Sequence, residues 1–147
     1  MAQLHSLETK VPMKSPEKLA AVFRDNVHSL PQLVPGIIKT AEIIGGGRQM
    51  APGSVFISQY SFPGSPLMSV KIKWEAVDEA EGKWLTLRVI DGEMLEMYKS
   101  YCVRVEIDRD AGQVGWLIEY EKANPNVPPP RQYAELIYTQ LCKASDN

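Results

Sequence analysis

The chain has 147 residues, 44% of them hydrophobic and 23% charged, with a formal net charge of −2. A chain of this length is read as one domain, 1–147, able to bury roughly two-thirds of its unfolded surface. Both signs of charge are interspersed, which argues against a polybasic nucleic-acid binder and against attraction to an anionic membrane. Cys102 and Cys142 fit neither a disulfide framework nor a metal-ligand spacing, so they are expected as reduced thiols in a cytoplasmic protein. The opening MAQLHSLETKV lacks the apolar core of a signal peptide, and no run reaches membrane-span length.

Residues 3–11 alternate in a way that predicts a first strand with Leu7, Thr9 and Val11 inward and His5 as an exposed strand residue. Ser15-Pro16-Glu17 is a helix start, with a hydroxyl cap, an early proline and an acid in the first turn. The helix is predicted over 16–25, with Leu19, Val22 and Phe23 on one face. Pro31 and Pro35 leave room only for a second helix of about a turn, near 30–34, and His28 is read as a loop residue in that corner. A strand over Ile37–Ile44 then runs into Gly45-Gly46-Gly47-Arg48. No Gly-Lys-Ser/Thr closes that loop and another strand follows it, so it is read as a mobile hairpin loop that binds no nucleotide.

Ser54–Phe62 is the next strand, with Phe56, Ser58 and Tyr60 sharing a face, before a turn at Pro63-Gly64-Ser65. From Ser65 to Ala123 the sequence forms four strand-like runs cut by three turn signals, EAEG (79–82), Asp91-Gly92 and Asp110-Ala111-Gly112. Met68, Val70, Ile72, Trp74 and Ala76 alternate with polar residues, and so do Leu85, Leu87 and Val89. Tyr101, Val103, Val105 and Ile107 repeat the pattern, as do Trp116, Ile118 and Tyr120. Short connections make these antiparallel neighbours. NPNVPPP (124–130) is a stiff connector. A last helix follows near 130–144, with Tyr133, Leu136, Ile137 and Leu141 as its apolar stripe and Ala144 onward as a frayed tail.

The predicted fold is α+β: a curved seven-stranded antiparallel sheet around a long C-terminal helix, with two short helices. A bent sheet with one helix as its lid tends to enclose space that side chains do not fill. The inward set that would line such a cavity is Phe23, Tyr60, Leu85, Leu87, Val89, Tyr101 and Val103, together with Val105, Trp116, Ile118, Tyr120, Tyr133, Leu136 and Leu141. Buried tyrosines need partners for their hydroxyls. Water, a polar ligand atom, the rim or a backbone carbonyl could each serve.

Several motifs carry a family resemblance: Glu75-Ala76-Val77-Asp78, Val89-Ile90-Asp91-Gly92, Tyr98-Lys99-Ser100-Tyr101 and Glu119-Tyr120-Glu121-Lys122-Ala123. Ser15-Pro16 and Pro52-Gly53-Ser54-Val55 fit as well. Over essentially its whole length the chain resembles the major latex protein family, a branch of the plant pathogenesis-related class-ten proteins related to the birch pollen allergen. The resemblance implies the helix-grip fold and an internal cavity for amphipathic plant metabolites such as steroids, flavonoids, cytokinins, terpenoids or alkaloids. It also implies links to defence, and some relatives are condensing, cyclising or isomerising enzymes. Two features depart from the family pattern: a shorter last helix, which would leave one end of the cavity less covered, and a longer, more basic glycine loop. The lysine, glutamate and aspartate of the norcoclaurine-forming relatives have no matching motifs here, which counts against that activity.

Two functions are compatible with these residues. One is a binding module holding a metabolite in a hydrophobic cavity. The other is a cofactor-independent cyclase or isomerase that steers a reactive intermediate by pocket shape and tyrosine hydrogen bonds, with Tyr101 and Tyr120 as its candidate catalytic groups. Neither calls for a metal or a cofactor. The expected partner is the small molecule alone, with no nucleic acid, no membrane, and the chain a monomer or weak dimer.

Overall fold

The computed structural model describes residues 3–77 and 84–146, so the EAEG turn and Asp78 lie outside the described residues. Seven strands form one antiparallel sheet: β1 (Leu4–Pro12), β2 (Ile38–Ile43), β3 (Val55–Tyr60), β4 (Met68–Val77), β5 (Trp84–Gly92), β6 (Tyr98–Asp108) and β7 (Gln113–Lys122). Their order is β1-β7-β6-β5-β4-β3-β2, so the chain starts at one edge, crosses to the other and walks back. The crossing is made by α1 (Glu17–Asp25), a 3₁₀ turn (Val27–Ser29) and α2 (Leu30–Leu33). The helix-grip arrangement is completed by the last helix, a π-helical segment (Tyr133–Tyr138) running into α4 (Thr139–Ser145).

Strand parity follows the sequence pattern across the meander. Leu85, Leu87, Val89, Tyr101, Val103, Val105, Trp116, Ile118 and Tyr120 are all buried on the inner face. The outer face pairs Arg88 with Glu75 at 2.6 Å and Arg104 with Glu119 at 3.1 Å, over a buried Cys102. At the β1 edge Leu7, Thr9 and Val11 face inward as expected. His5 shares their parity, is half-buried, and stacks on Tyr120 with ring centroids 5.4 Å apart, so it is not the exposed residue that was predicted.

Elsewhere the pattern breaks where the sheet bends. A bulge between Ile38 and Thr40 puts both Ile38 and Ala41 inward, which plain alternation does not allow. Two further bulges interrupt β4 against β5. Gly92 sits opposite Val70 with φ +121°, and a Cβ there would collide with the Ser69 carbonyl. Directly after it comes α3 (Met94–Met97), a single turn that the sequence reading did not anticipate. It buries Met94 against the interior.

Both ends of the grip are tied to each other. The Ser15 hydroxyl does not cap α1; instead the Ser15 and Lys14 amides donate to the Asp146 carboxylate at 2.9 and 2.8 Å. The expected frayed tail is therefore corrected: the helix runs to Ser145, which is buried, and Asp146 clasps the β1–α1 corner. Those two amides hold the Asp146 carboxyl below the usual carboxylate range.

Gly92→Ala should destabilise by more than about 2 kcal/mol, because it adds both a steric conflict and a left-handed non-glycine residue; urea denaturation measures this. The Asp146 contribution should be fully present above the ordinary carboxylate range and lost as pH falls through its depressed folded value. Urea midpoints of wild type and Asp146→Asn should differ at neutral pH and converge in acid.

Candidate functional site

The interior between the sheet and the last helix holds a cavity of about 80 Å³. The helices contribute Phe23, Tyr133 and Leu141 to its lining, and the sheet contributes Tyr60, Leu87, Val89, Tyr101, Val103 and Trp116. All of these belong to the predicted set. Leu85, Val105 and Ile118 are buried yet do not line it. They have the right parity but form the solid packing around it, because the cavity lies toward β3–β6 and among β7 residues only Trp116 reaches it. Tyr120 is also outside the lining, fixed between the His5 ring and the edge of Tyr98 at 5.6 Å.

Leu136 is corrected outright: it is 37% exposed. The reason is the π-helical geometry of 133–138. The Thr139 amide and its hydroxyl (2.8 Å) both reach the Ala134 carbonyl five residues back. In an α-helix Leu136 and Ile137 would lie about 60° and 40° from Tyr133 around the axis; the wider i→i+5 turn rotates Leu136 further off that face, and Ile137 lines the cavity. The same geometry brings in Tyr138, which the sequence reading left out. In an α-helix a residue five positions on lies about 140° around the axis. Here Tyr133 and Tyr138 both meet the sheet.

Other lining residues were missed for separate reasons. Ile38 opens β2 just before its bulge, Met94 comes from the unanticipated α3, and Leu30 comes from α2. Phe56, Ser58, Val70 and Ile72 complete the β3–β4 wall. Their inward parity was read correctly, and only their place in the lining was not.

The polar chemistry of the site lies in its tyrosines. The Tyr60 and Tyr133 hydroxyls lie 2.6 Å apart, and so do those of Tyr101 and Tyr138. Tyr60 and Tyr101 are thus each partnered by a helix tyrosine, whereas Tyr98, at the start of β6, donates to the Pro128 carbonyl at 2.8 Å. Ser58 donates to the Thr40 carbonyl at 2.8 Å. Tyr138 also stacks flat on Trp116, with centroids 4.5 Å apart. The Trp116 indole N–H in turn donates to the Cys142 sulfur at 3.3 Å. Burial raises the pKa of Tyr60, Tyr101, Tyr133 and Tyr138, so these hydroxyls stay neutral. Burial likewise pushes the Cys142 thiol up to about 12, which makes it a poor nucleophile. Among the described residues no charged side chain lines the cavity. Among the described residues no group of three or more His, Cys, Asp or Glu could hold a metal.

Tyr133→Phe should leave the buried Tyr60 hydroxyl without its partner and destabilise by about 1–3 kcal/mol. The double variant Tyr60→Phe/Tyr133→Phe should recover part of that loss. A double-mutant cycle by urea denaturation measures the coupling.

Comparison with known proteins agrees with this architecture. The chain is 34% identical over 128 residues to MLP-like protein 423 of Arabidopsis thaliana, covering 84% of this chain and 81% of that one. The crystal structure of ginseng major latex-like protein 151 from Panax ginseng superposes with a TM-score of 0.83 at 27% identity, covering 97% of this chain and 95% of that one. Norcoclaurine synthase from Thalictrum flavum superposes with a TM-score of 0.64 over 99% of this chain and 85% of that one; at 19% identity the likeness concerns the fold alone. The family model of the pathogenesis-related protein Bet v 1 family matches residues 2–147. With the seven-stranded grip, the apolar interior and a match of that extent, the chain belongs to the Bet v 1 family, a hydrophobic ligand-binding fold, and is similar within it to the major latex proteins.

Proposed function

We propose that this chain binds a small amphipathic plant metabolite, of terpenoid, steroid, flavonoid or alkaloid type, in the cavity under the last helix, in a defence or specialised-metabolism role. The observation that carries this reading is an apolar interior whose lining, among the described residues, holds no charge and whose polar groups are neutral tyrosine hydroxyls and Ser58. Burying apolar ligand surface at about 25 cal/mol per Å² supports micromolar affinity after the costs of association. At about 80 Å³ the cavity is smaller than the roughly 300–1,000 Å³ usual for small-molecule sites. Such a ligand therefore selects a state in which the tyrosine-bearing last helix has yielded.

The test is a panel of steroid, flavonoid, terpenoid and alkaloid ligands, followed by calorimetry and tryptophan fluorescence. Val89→Phe should occupy the cavity and weaken binding tenfold or more, at a stability cost of about 1–3 kcal/mol. Leu136→Trp, on the outer side of the helix, should leave affinity unchanged. Absence of saturable binding across the panel would sink the reading.

The paired tyrosines favour a second reading, a cyclase or isomerase acting on a reactive enol-type intermediate. Neutral hydroxyls in a dry pocket can hydrogen-bond a developing oxyanion. On this reading Tyr101→Phe should lower turnover tenfold or more with little change in affinity, because the lost bond acts in the transition state. Product stereochemistry identical to that in buffer alone would rule it out.

A further inference from the structure

The hydroxyl groups at the cavity do not balance. Among the described residues, five side chains that line it carry hydroxyls: Ser58, Tyr60, Tyr101, Tyr133 and Tyr138. Each hydroxyl has one proton to give. The Ser58 proton goes to the Thr40 carbonyl. Within each tyrosine pair one hydroxyl donates and the other accepts, so the accepting member keeps its proton. Among the described residues, neither pair has any hydrogen-bond partner beyond itself. Two O–H donors therefore lack an acceptor among the described residues, one in the buried Tyr60–Tyr133 pair and one in the part-buried Tyr101–Tyr138 pair. An unspent buried donor is less tolerated than an unspent lone pair.

The two pairs are also neighbours, since the Tyr101 and Tyr133 rings lie 5.7 Å apart. Both unspent donors thus belong to one tyrosine cluster. A carbonyl oxygen carries two lone pairs and no proton, which matches two donors within one cluster. Among the described residues no charged side chain in the lining stands ready to neutralise a carboxylate or an ammonium group.

We infer that the site selects neutral carbonyl compounds (ketones, aldehydes, enones or lactones), with the carbonyl oxygen seated on the tyrosine cluster. This rests on the proposed binding function and narrows it to one ligand chemistry. Hydrocarbons of equal shape lose the two hydrogen bonds, and charged analogues are excluded by desolvation. The pairing sets the donor count: each pair presents one donor, and removing both hydroxyls of a pair removes it.

Cyclohexanone and methylenecyclohexane test this, because they differ only by oxygen in place of a methylene group. Both are small enough to need little expansion of the cavity. Their affinities are measured by NMR titration for wild type, Tyr60→Phe/Tyr133→Phe and Tyr101→Phe/Tyr138→Phe. Comparing ratios between proteins cancels the difference in hydration between the two probes. The ketone-to-alkene affinity ratio should fall about fivefold in at least one double variant. The carbonyl ¹³C resonance of bound cyclohexanone should lie downfield of its position in hydrocarbon solvent, in the direction hydrogen bonding imposes. A ratio unchanged in both variants, with both probes still binding, overturns the carbonyl assignment and leaves the binding function standing. If neither probe nor any metabolite of the panel binds, both readings fall together. Should the double variants not fold, the wild-type resonance decides: a bound ketone whose ¹³C shift equals that in hydrocarbon overturns the inference.

Discussion

Two hydroxyl–hydroxyl contacts hold the lid of this protein to its sheet. Tyr60 with Tyr133 and Tyr101 with Tyr138 join residues 73 and 37 positions apart in the chain. A hydroxyl buried without a partner carries a desolvation penalty of about 1–3 kcal/mol, so each pair favours a particular seat for the last helix. The position of that helix follows from this constraint, and so does the size of the space beneath it. The Trp116–Tyr138 stack and the Trp116–Cys142 contact extend the same seat further along the helix.

Cavity and lid are consequently a single system. Bulges interrupt the sheet in β2 and β4, where bulges bend and twist a strand, and tyrosines from the sheet and the last helix meet across the space beneath. What remains is small because the aromatic rings that hold the helix down also occupy the volume it covers. A guest and the closing contacts therefore compete for the same atoms, so affinity depends on how well the guest's own polar atoms replace the contacts it displaces.

Much of this was legible in the chain because strand burial has a period of two. The inward parity of Leu85, Leu87, Val89, Tyr101 and Trp116 could be read directly, and the structure has it. Legibility ended wherever local geometry departed from the ideal. The β2 bulge moved Ala41 inward, a four-residue helix after Gly92 delivered Met94, and the π-helical turn exchanged Leu136 for Tyr138. The tyrosine partners, and the Asp146 clasp on Lys14 and Ser15, span too much sequence for any window-based pattern. Tyr120 was a reasonable lining candidate by parity, but it lies at the end of the sheet that His5 and Tyr98 fill.

The π-helical segment has a consequence for reading the relatives. An i→i+5 turn is an α-helix carrying one residue too many, absorbed as a local widening. A homologue one residue shorter between Tyr133 and Tyr138 would regain the ordinary helical repeat and turn one of its two aromatic positions away from the sheet. Whether a given relative presents one hydroxyl or two to its interior would then be decided by an insertion or deletion of a single residue in its last helix. Alignments scored by residue identity alone would treat such a difference as a gap of no importance.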